Sequence, residues 1–325
     1  MNNVLPWQSA QWSRLCRHVD KLAHAMLFVG QAGLGKTHFA TCLAASLLCQ
    51  EPKVDFQACG ACKSCHLFSA GNHPDVLTVK PEAPNRAIKI DTIRQLVDFS
   101  MLSAAKKVII IQSAENMNRA AANALLKLLE EPPAGVYIIL ISERPSRLLP
   151  TIRSRCQMIT FPQSDHALAM RYLHENHVTD NAELLLTLTH HAPLAALALN
   201  ESNALKQRQH IFQTWQAFML QASSLTAASK QWHKFEPLDI LPYLQSWLMD
   251  IIRLIISGNN AINNRDLAQV LERIAPVCHI QALFVCLDQL YQLAAILADN
   301  IALNKQLLIE NLLLLSWSCL SERKN

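Results

Sequence analysis

The sequence predicts an α/β domain built on a parallel sheet, followed by a segment made of helices alone. Between residues 25 and 161, apolar runs of strand length alternate with helical patterns. Such alternation is typical of strands joined by crossover helices, so the sheet is expected to be parallel and covered on both faces. After Phe161 and Pro162 no further strand pattern occurs, and only seven glycines interrupt the 325 residues. The chain is therefore expected to be mostly helical.

The apolar runs and periodic patterns predict the individual elements in chain order. Strands are predicted over residues 25–29, 76–79, 108–111, 136–141 and 158–161. Helices are predicted between them over residues 39–48, 91–101 and 118–129, with Asp91 as the N-cap of the second. A small helical unit follows at 164–176, 182–188 and 193–199. Amphipathic helices are then predicted over 211–220, 238–256, 266–274, 280–298 and 305–320, with a loop at 259–264.

Composition and charge exclude several classes of protein. Hydrophobic residues make up 51% of the chain, which argues against global disorder. The formal charge of +4 is too mild to indicate a dedicated nucleic-acid-binding domain. No signal peptide is recognised at residues 1–12, and no uninterrupted apolar run approaches the ~18 residues of a membrane span. A cytoplasmic protein without a membrane partner is expected, with its ten cysteines reduced or metal-bound.

A complete phosphate-binding loop, G-x-x-x-x-G-K-[ST], spans residues 30–37. It follows a predicted strand and opens a predicted helix, which is the context that such a loop needs. Its backbone N–H groups would surround the phosphates of ATP or ADP, while Lys36 reaches the terminal phosphates and Thr37 ligates Mg²⁺. A glycine-rich turn without a ligand is the alternative. The candidate nucleotide-binding residues are Gly30, Gly33, Gly35, Lys36 and Thr37.

The acidic residue that hydrolysis requires is missing from its usual place. The predicted strand 108–111 ends in Gln112 and Ser113, and neither side chain supplies the negative charge that an Asp provides beside Mg²⁺. Glu115 is the nearest acid, but it lies beyond the end of the strand and could substitute only if the register is shifted. The sequence therefore indicates a protein that can hold a nucleotide but is poorly built to hydrolyse it.

Four cysteines lie within 17 residues in the pattern C-x9-C-x2-C-x2-C: Cys49, Cys59, Cys62 and Cys65. Thiolates at this spacing match a tetrahedral structural Zn²⁺ site, and so short an insert needs a metal as its core. An iron–sulfur cluster would also use four cysteines, but the Pro that follows the ferredoxin run is absent. A redox pair would need only Cys62 and Cys65, and four unligated thiols are the remaining alternative.

A Ser-Arg-Cys turn, residues 154–156, follows a short helical segment and precedes the last predicted strand. Arg155 would lie at the rim of the α/β domain, where it could reach another subunit. Spacing alone favours an exposed arginine without a role.

Several linked segments resemble the bacterial clamp-loader family of the AAA+ ATPases. They are H-A-M-L-F-V-G-Q-A-G-L-G-K-T at 24–37, the four-cysteine insert, N-A-L-L-K-L-L-E-E-P-P at 123–133, the Ser-Arg-Cys turn and N-K-Q-L-L-I-E-N-L-L-L-L at 304–315. The resemblance covers most of residues 5–161, whereas the C-terminal half matches mainly in helical character. It implies an AAA+ P-loop domain with a zinc insert at 1–162, a small helical lid domain at 163–204 and a helical collar domain at 205–325.

The resemblance also implies roles for single residues. In this family the Arg of Ser-Arg-Cys acts as a finger on ATP bound by a neighbouring subunit, which assigns Arg155 that role in trans. Motor subunits carry Asp-Glu where this chain has Gln112 and Ser113, and they carry a γ-phosphate-sensing Arg where this chain has Leu194. Both departures indicate the rigid, non-hydrolysing stator of the loader. Its implied partners are the gamma or tau motor subunits, delta, the sliding clamp and primed DNA.

Three classes of function remain. The first is the stator, a subunit of the polymerase holoenzyme with little or no ATP hydrolysis of its own. The second is an active ATPase motor of the same loader, against which Gln112 and Leu194 argue. The third is a zinc-dependent DNA-binding module, against which the mild net charge argues, together with the single basic residue, Lys63, between Cys59 and Cys65.

Overall fold

The computed structural model describes residues 3–83, 86–102, 105–258, 262–298 and 304–320. Residues 259–261 of the predicted loop at 259–264 lie outside the described residues. The chain divides into two compact units, Met1–Glu175 with His190–Ala195, and Asn176–Thr189 with Ala196–Asn325. The residues expected to form a separate lid domain, 163–204, contribute to both units, and that domain stays a prediction.

The first unit is built on a five-stranded sheet in the order β2-β3-β4-β1-β5. Its strands are β1 Ala25–Val29, β2 Val76–Val79, β3 Lys107–Ile111, β4 Val136–Ser142 and β5 Gln157–Thr160. All four neighbouring pairs are parallel, which confirms the predicted parallel sheet. Every residue of β1 and β3 is buried, as expected of strands that are covered on both faces.

Helices cover both faces of this sheet. They are α1 Ser9–Cys16, α2 Lys36–Leu48, α3 Lys63–Ser69, α4 Ile90–Met101, α5 Arg119–Glu130, α6 Pro150–Arg153 and α7 His166–Glu175. The predicted N-cap at Asp91 is wrong, because α4 begins one residue earlier and Lys89 is its N-cap. Asp91 instead lies in the first turn, where its negative charge interacts favourably with the positive end of the helix dipole. In α5, Leu125, Leu128 and Leu129 are buried against the sheet, and Leu126 is partly buried there.

The second unit is entirely helical in the part of it that the structure describes. Its helices are α8 Ala182–Leu188, α9 Pro193–Glu201 (whose first residues belong to the first unit), α10 Ala204–Met219, α11 Leu225–Trp232, α12 Pro237–Ser257, α13 Ala268–Ile274, α14 Ile280–Ala298 and α15 Lys305–Trp317. Three fully buried tryptophans, Trp215, Trp232 and Trp247, are the largest side chains of its core. Leu308 and Leu312 of α15 are buried in that core, whereas Leu307 is exposed.

Two of these helices, α12 and residues 280–297 of α14, are long and apolar enough to cross a membrane by length and composition alone. The expectation concerned uninterrupted apolar runs, which such a helical window does not require. Asp250 and Arg253 interrupt the apolar run of α12, and a helical window tolerates such interruptions where an unbroken run does not. The apolar faces of both helices pack into the tryptophan-rich core.

A buried polar network stabilises the second unit. Asp250 of α12 is fully buried, and its Oδ2 accepts hydrogen bonds from the backbone N–H and the side-chain amide of Asn264, each at 2.7 Å. The Oδ1 of Asn264 accepts from Arg208 of α10 at 2.7 Å, and Arg208 also pairs with Asp266 at 2.6 Å. The groups of this network hydrogen-bond one another, so removing one of them leaves buried donors without an acceptor.

We expect Asp250→Ala to lower the free energy of unfolding by about 3–5 kcal/mol, because buried backbone and side-chain donors lose their carboxylate acceptor. Urea unfolding followed by tryptophan fluorescence measures the change. Asp288→Ala, an exposed acid on α14, is the control and should change stability very little. Equal stability of the two variants would contradict the assigned role of the network.

Candidate functional site

The phosphate loop connects the end of β1 to the start of α2. Gly35 is the N-cap of α2, with a left-handed φ of +80°, and Gly33 has φ of +77°. A Cβ on Gly33 would also lie 2.4 Å from the Cβ of Ala195, and one on Gly35 would lie 2.5 Å from the side chain of Leu5. The backbone conformation requires glycine at both positions, and at Gly33 the close approach of the Ala195 backbone requires it as well. The loop therefore has the form that the motif predicts.

Lys36 is 5% exposed and lies against its own loop. Its Nζ donates a hydrogen bond to the backbone oxygen of Gln31 at 2.7 Å and lies 4.0 Å from Oε1 of Glu143. Burial lowers the pKa of Lys36, and the charges of Glu143 and Glu115 offset part of that shift. A terminal phosphate at this loop would have to compete with these contacts for the ammonium group.

The N-terminal segment packs directly on the phosphate loop. Gln8 is fully buried, and its side-chain amide donates to the backbone oxygens of Leu34 and Gly35, both at 2.9 Å. The indole of Trp7 also donates to Leu34, at 3.0 Å. The backbone N–H of Leu194 donates to the oxygen of Gly33 at 3.2 Å. Sequence reasoning missed Trp7 and Gln8, because no motif or spacing connects them to a loop 26 residues away.

The turn after β3 carries Glu115, the acid nearest in sequence to Gln112 and Ser113. Gln112 and Ser113 do follow β3, and Ser113 takes a left-handed φ of 49°. That turn leads into a short 3-10 helix, Ala114–Asn116. In this helix, Oε1 of Glu115 accepts a hydrogen bond from the backbone N–H of Glu143 at 3.2 Å. The negative charges of Glu143 and, less strongly, of Glu115 raise the pKa of Lys36. Glu115 is thus joined to Glu143, the acid that lies 4.0 Å from Lys36, and its replacement of the missing acid stays a prediction.

The four predicted metal ligands converge on one point. The Sγ atoms of Cys49, Cys59, Cys62 and Cys65 all lie within 4.8 Å of one another. Individual Sγ–Sγ distances are 3.6 Å from Cys65 to Cys49, 3.8 Å from Cys59 to Cys65 and 3.9 Å from Cys49 to Cys62. Zn–S bonds of about 2.3 Å would place tetrahedral sulfur atoms about 3.8 Å apart. The thiols therefore fit a single tetrahedral metal ion.

Backbone N–H groups surround these sulfur atoms. The N–H of Cys59 donates to Cys49, the N–H of Cys62 donates to Cys59, and the N–H of Cys65 donates to Cys62, at 3.3, 3.3 and 3.5 Å. The last contact also caps α3 and holds the pKa of Cys62 at about 6. Donors aimed at sulfur stabilise thiolates, which are the form that ligates a metal.

Arg155 lies on the surface but has contacts within its own chain. One guanidinium nitrogen pairs with Oε1 of Glu130 at 2.7 Å, and the other donates to the backbone oxygen of Thr151 at 3.1 Å. Its side chain is 37% exposed. The neighbouring Cys156 packs against the core under the turn, and burial raises the pKa of its thiol to about 12. Arg155 is thus the exposed functional group of this turn, and Cys156 anchors it.

The direction of the sheet separates Arg155 from the phosphate loop. The loop follows the last residue of β1, at the carboxyl edge, whereas Arg155 precedes the first residue of β5, at the amino edge. Because β1 and β5 are parallel neighbours, the two sites lie at opposite edges of one sheet. Four residues of strand span about 13 Å, which exceeds the reach of an arginine side chain. The side chain of Arg155 therefore does not reach a nucleotide on the phosphate loop of its own chain.

Comparisons with known proteins agree over both units. The family described as DNA polymerase III, delta subunit, matches residues 7–165, and its C-terminal family matches residues 202–318. The DNA polymerase III subunit delta' of Pseudomonas aeruginosa is 34% identical over 98% of this chain and 99% of that protein. The delta' subunit of Yersinia pestis is 30% identical over 97% of this chain and 95% of its own length. The tau subunit of Bacillus subtilis is 37% identical over 43% of this chain and 25% of its own length.

We expect Cys62→Ser to lower the metal content of the purified protein well below one ion per chain, because three thiolates bind a tetrahedral ion less tightly than four. Elemental analysis of the protein after dialysis measures this and identifies the metal. Cys16→Ser, a cysteine outside the cluster, is the matched control and should leave the metal content unchanged. Full retention of metal by the Cys62 variant would contradict the four-thiolate site.

Proposed function

The chain belongs to the delta-prime family of DNA polymerase III subunits, and from that premise we propose that it is the stator of the clamp loader. In this role it helps to place the sliding clamp on primed DNA during replication, as a component of the DNA-directed DNA polymerase holoenzyme. It anchors the motor subunits and supplies Arg155 to ATP that a neighbouring subunit holds. It has little or no ATP hydrolysis of its own.

The groups around the phosphate loop support weak or absent hydrolysis. Gln112 and Ser113 stand where a motor would carry acids, so the end of β3 offers no carboxylate to Mg²⁺. Leu194, which lies against the loop, has no charge to place on a γ-phosphate. The loop retains Lys36 and Thr37 and can therefore hold ATP or ADP with Mg²⁺, even though the groups that drive turnover are missing.

The placement of Arg155 is the observation that carries the proposal of action in trans. It lies at the amino edge of the sheet, a strand length away from the phosphate loop of its own chain. An exposed arginine on a turn that the core anchors is suited to contact the nucleotide of an adjoining subunit. Its guanidinium would stabilise the charge that develops on the transferred phosphoryl group.

The cysteine insert binds Zn²⁺ in a structural role in this proposal. Bound metal would crosslink the end of α2 to α3, and the surrounding N–H donors hold the sulfur atoms in place. The apolar cluster at the insert contains Ala58 of the insert, Ala45 of α2 and Phe68 of α3, and it is too small for the insert to fold alone.

The helical second unit is the proposed collar through which the subunits assemble. Helix α14 presents four large apolar side chains to solvent: Phe284, Val285, Tyr291 and Ile296. Apolar exposure on this scale is typical of a protein–protein interface. The proposed partners at this surface of α14 are gamma or tau and delta. The clamp and primed DNA are engaged through the assembled complex. The proposed location is the cytoplasm.

An active motor subunit is the second candidate, and one observation favours it. Glu115 and Glu143 both lie close enough to Lys36 to affect its pKa, so carboxylates are present beside the phosphate loop. To hold a Mg²⁺ ion in place of the missing acid, Glu143 would have to leave Lys36, and Glu115 would have to leave the backbone N–H of Glu143. A direct test of ATP turnover separates the two functions.

We expect the purified chain with Mg²⁺ and primed DNA to hydrolyse ATP no faster than its Lys36→Ala variant, because no carboxylate stands at the end of β3. Steady-state phosphate release measures the rate. Turnover that Lys36→Ala abolishes would identify the chain as a motor. In that case Glu115→Gln should abolish turnover as well.

We expect Arg155→Ala to lower ATP hydrolysis by about 10³-fold or more at the one neighbouring site that the arginine faces, and to impair clamp loading. A loader reconstituted with clamp and primed DNA measures both. Arg94→Ala, an exposed arginine on α4, is the matched control. Normal loading by the Arg155 variant would contradict the proposed role in trans.

A further inference from the structure

The guanidinium of Arg155 is occupied by a carboxylate of its own chain. Glu130 is the last residue of α5, and its Oε1 lies 2.7 Å from the arginine nitrogen. A second guanidinium nitrogen is held by the backbone oxygen of Thr151, in α6. Two contacts from two helices therefore fix the direction of the arginine at rest. Sequence spacing shows no sign of the pair, because 25 residues separate its members.

Two electrostatic effects draw Arg155 to this place. Glu130 carries a full negative charge, and the C-terminal end of α5 adds the negative end of the helix dipole. Both side chains remain well exposed, 37% for Arg155 and 48% for Glu130. Solvent screens exposed pairs, so the contact favours the paired state by no more than about fivefold. The arginine is thus held in one direction but can exchange its partner.

We propose that Glu130 is a positioning residue that holds Arg155 at rest and yields it only to the γ-phosphate of ATP on the neighbouring subunit. The inference rests on the proposed role of Arg155 in trans. A carboxylate and a terminal phosphate are both anionic oxygen acceptors for the same guanidinium, so they compete for it. The apparent affinity for ATP at that site is reduced by the fraction of arginine that Glu130 retains.

Removal of the Glu130 charge should therefore make the arginine easier to engage. In a reconstituted loader with clamp and primed DNA, we expect Glu130→Gln to lower the ATP concentration for half-maximal hydrolysis by up to about fivefold, with the maximal rate unchanged. A merely structural residue would leave that concentration unchanged or raise it. Glu131→Gln removes the adjacent exposed acid and is the matched control, with no change expected.

The same substitution in the Arg155→Ala background shows whether Glu130 acts through the arginine. We expect Glu130→Gln to have no further effect there, since its partner is gone. An unchanged or raised ATP requirement for the single Glu130 variant overturns the inference, as does an equal effect with and without Arg155. If Arg155→Ala alone leaves hydrolysis and loading normal, the proposed function itself has failed, and the inference fails with it.

Discussion

The parallel direction of the sheet is the constraint on which the arrangement of sites depends. Because all strands run the same way, the chain segments that leave them meet at one edge, and the segments that enter them meet at the other. The phosphate loop, the turn after β3 and Glu143 after β4 share the carboxyl edge. Arg155 before β5 and Glu130 at the end of α5 share the amino edge. The position of β1 between β4 and β5 therefore places the phosphate loop and Arg155 at opposite edges of one domain.

The phosphate loop is bound to the rest of its unit at several points. Gln8 is buried and satisfies two backbone oxygens of the loop, Leu194 donates to a third, and Lys36 is held within the loop. Such contacts with protein groups order the loop before a nucleotide binds. A nucleotide would have to replace the contact of Lys36 with the loop.

Each unit obtains its rigidity by different means. Apolar strands that are covered on both faces form the core of the first unit. The four thiols stabilise the insert, whose apolar cluster is very small. In the second unit, three buried tryptophans fill the space between helices, and the network of Asp250, Asn264 and Arg208 holds α10, α12 and the segment before α13 in one arrangement. Hydrogen bonds between buried side chains are directional, so this network specifies a single packing more strictly than apolar contacts do.

The sequence by itself determined the features that local patterns encode. Apolar runs located all five strands, glycine spacing located the phosphate loop, cysteine spacing located the thiol cluster, and Gln112 with Ser113 showed the missing acids. The short helices α1, α3 and α11 were not predicted, and α3 begins at a cap supplied by a predicted metal ligand. Only the tertiary structure decided the strand order, the contacts of Gln8 with the loop, the hydrogen bond between Glu115 and the backbone of Glu143, and the pairing of Glu130 with Arg155. These contacts join residues far apart in the chain, and packing of the whole domain, not local preference, brings them together.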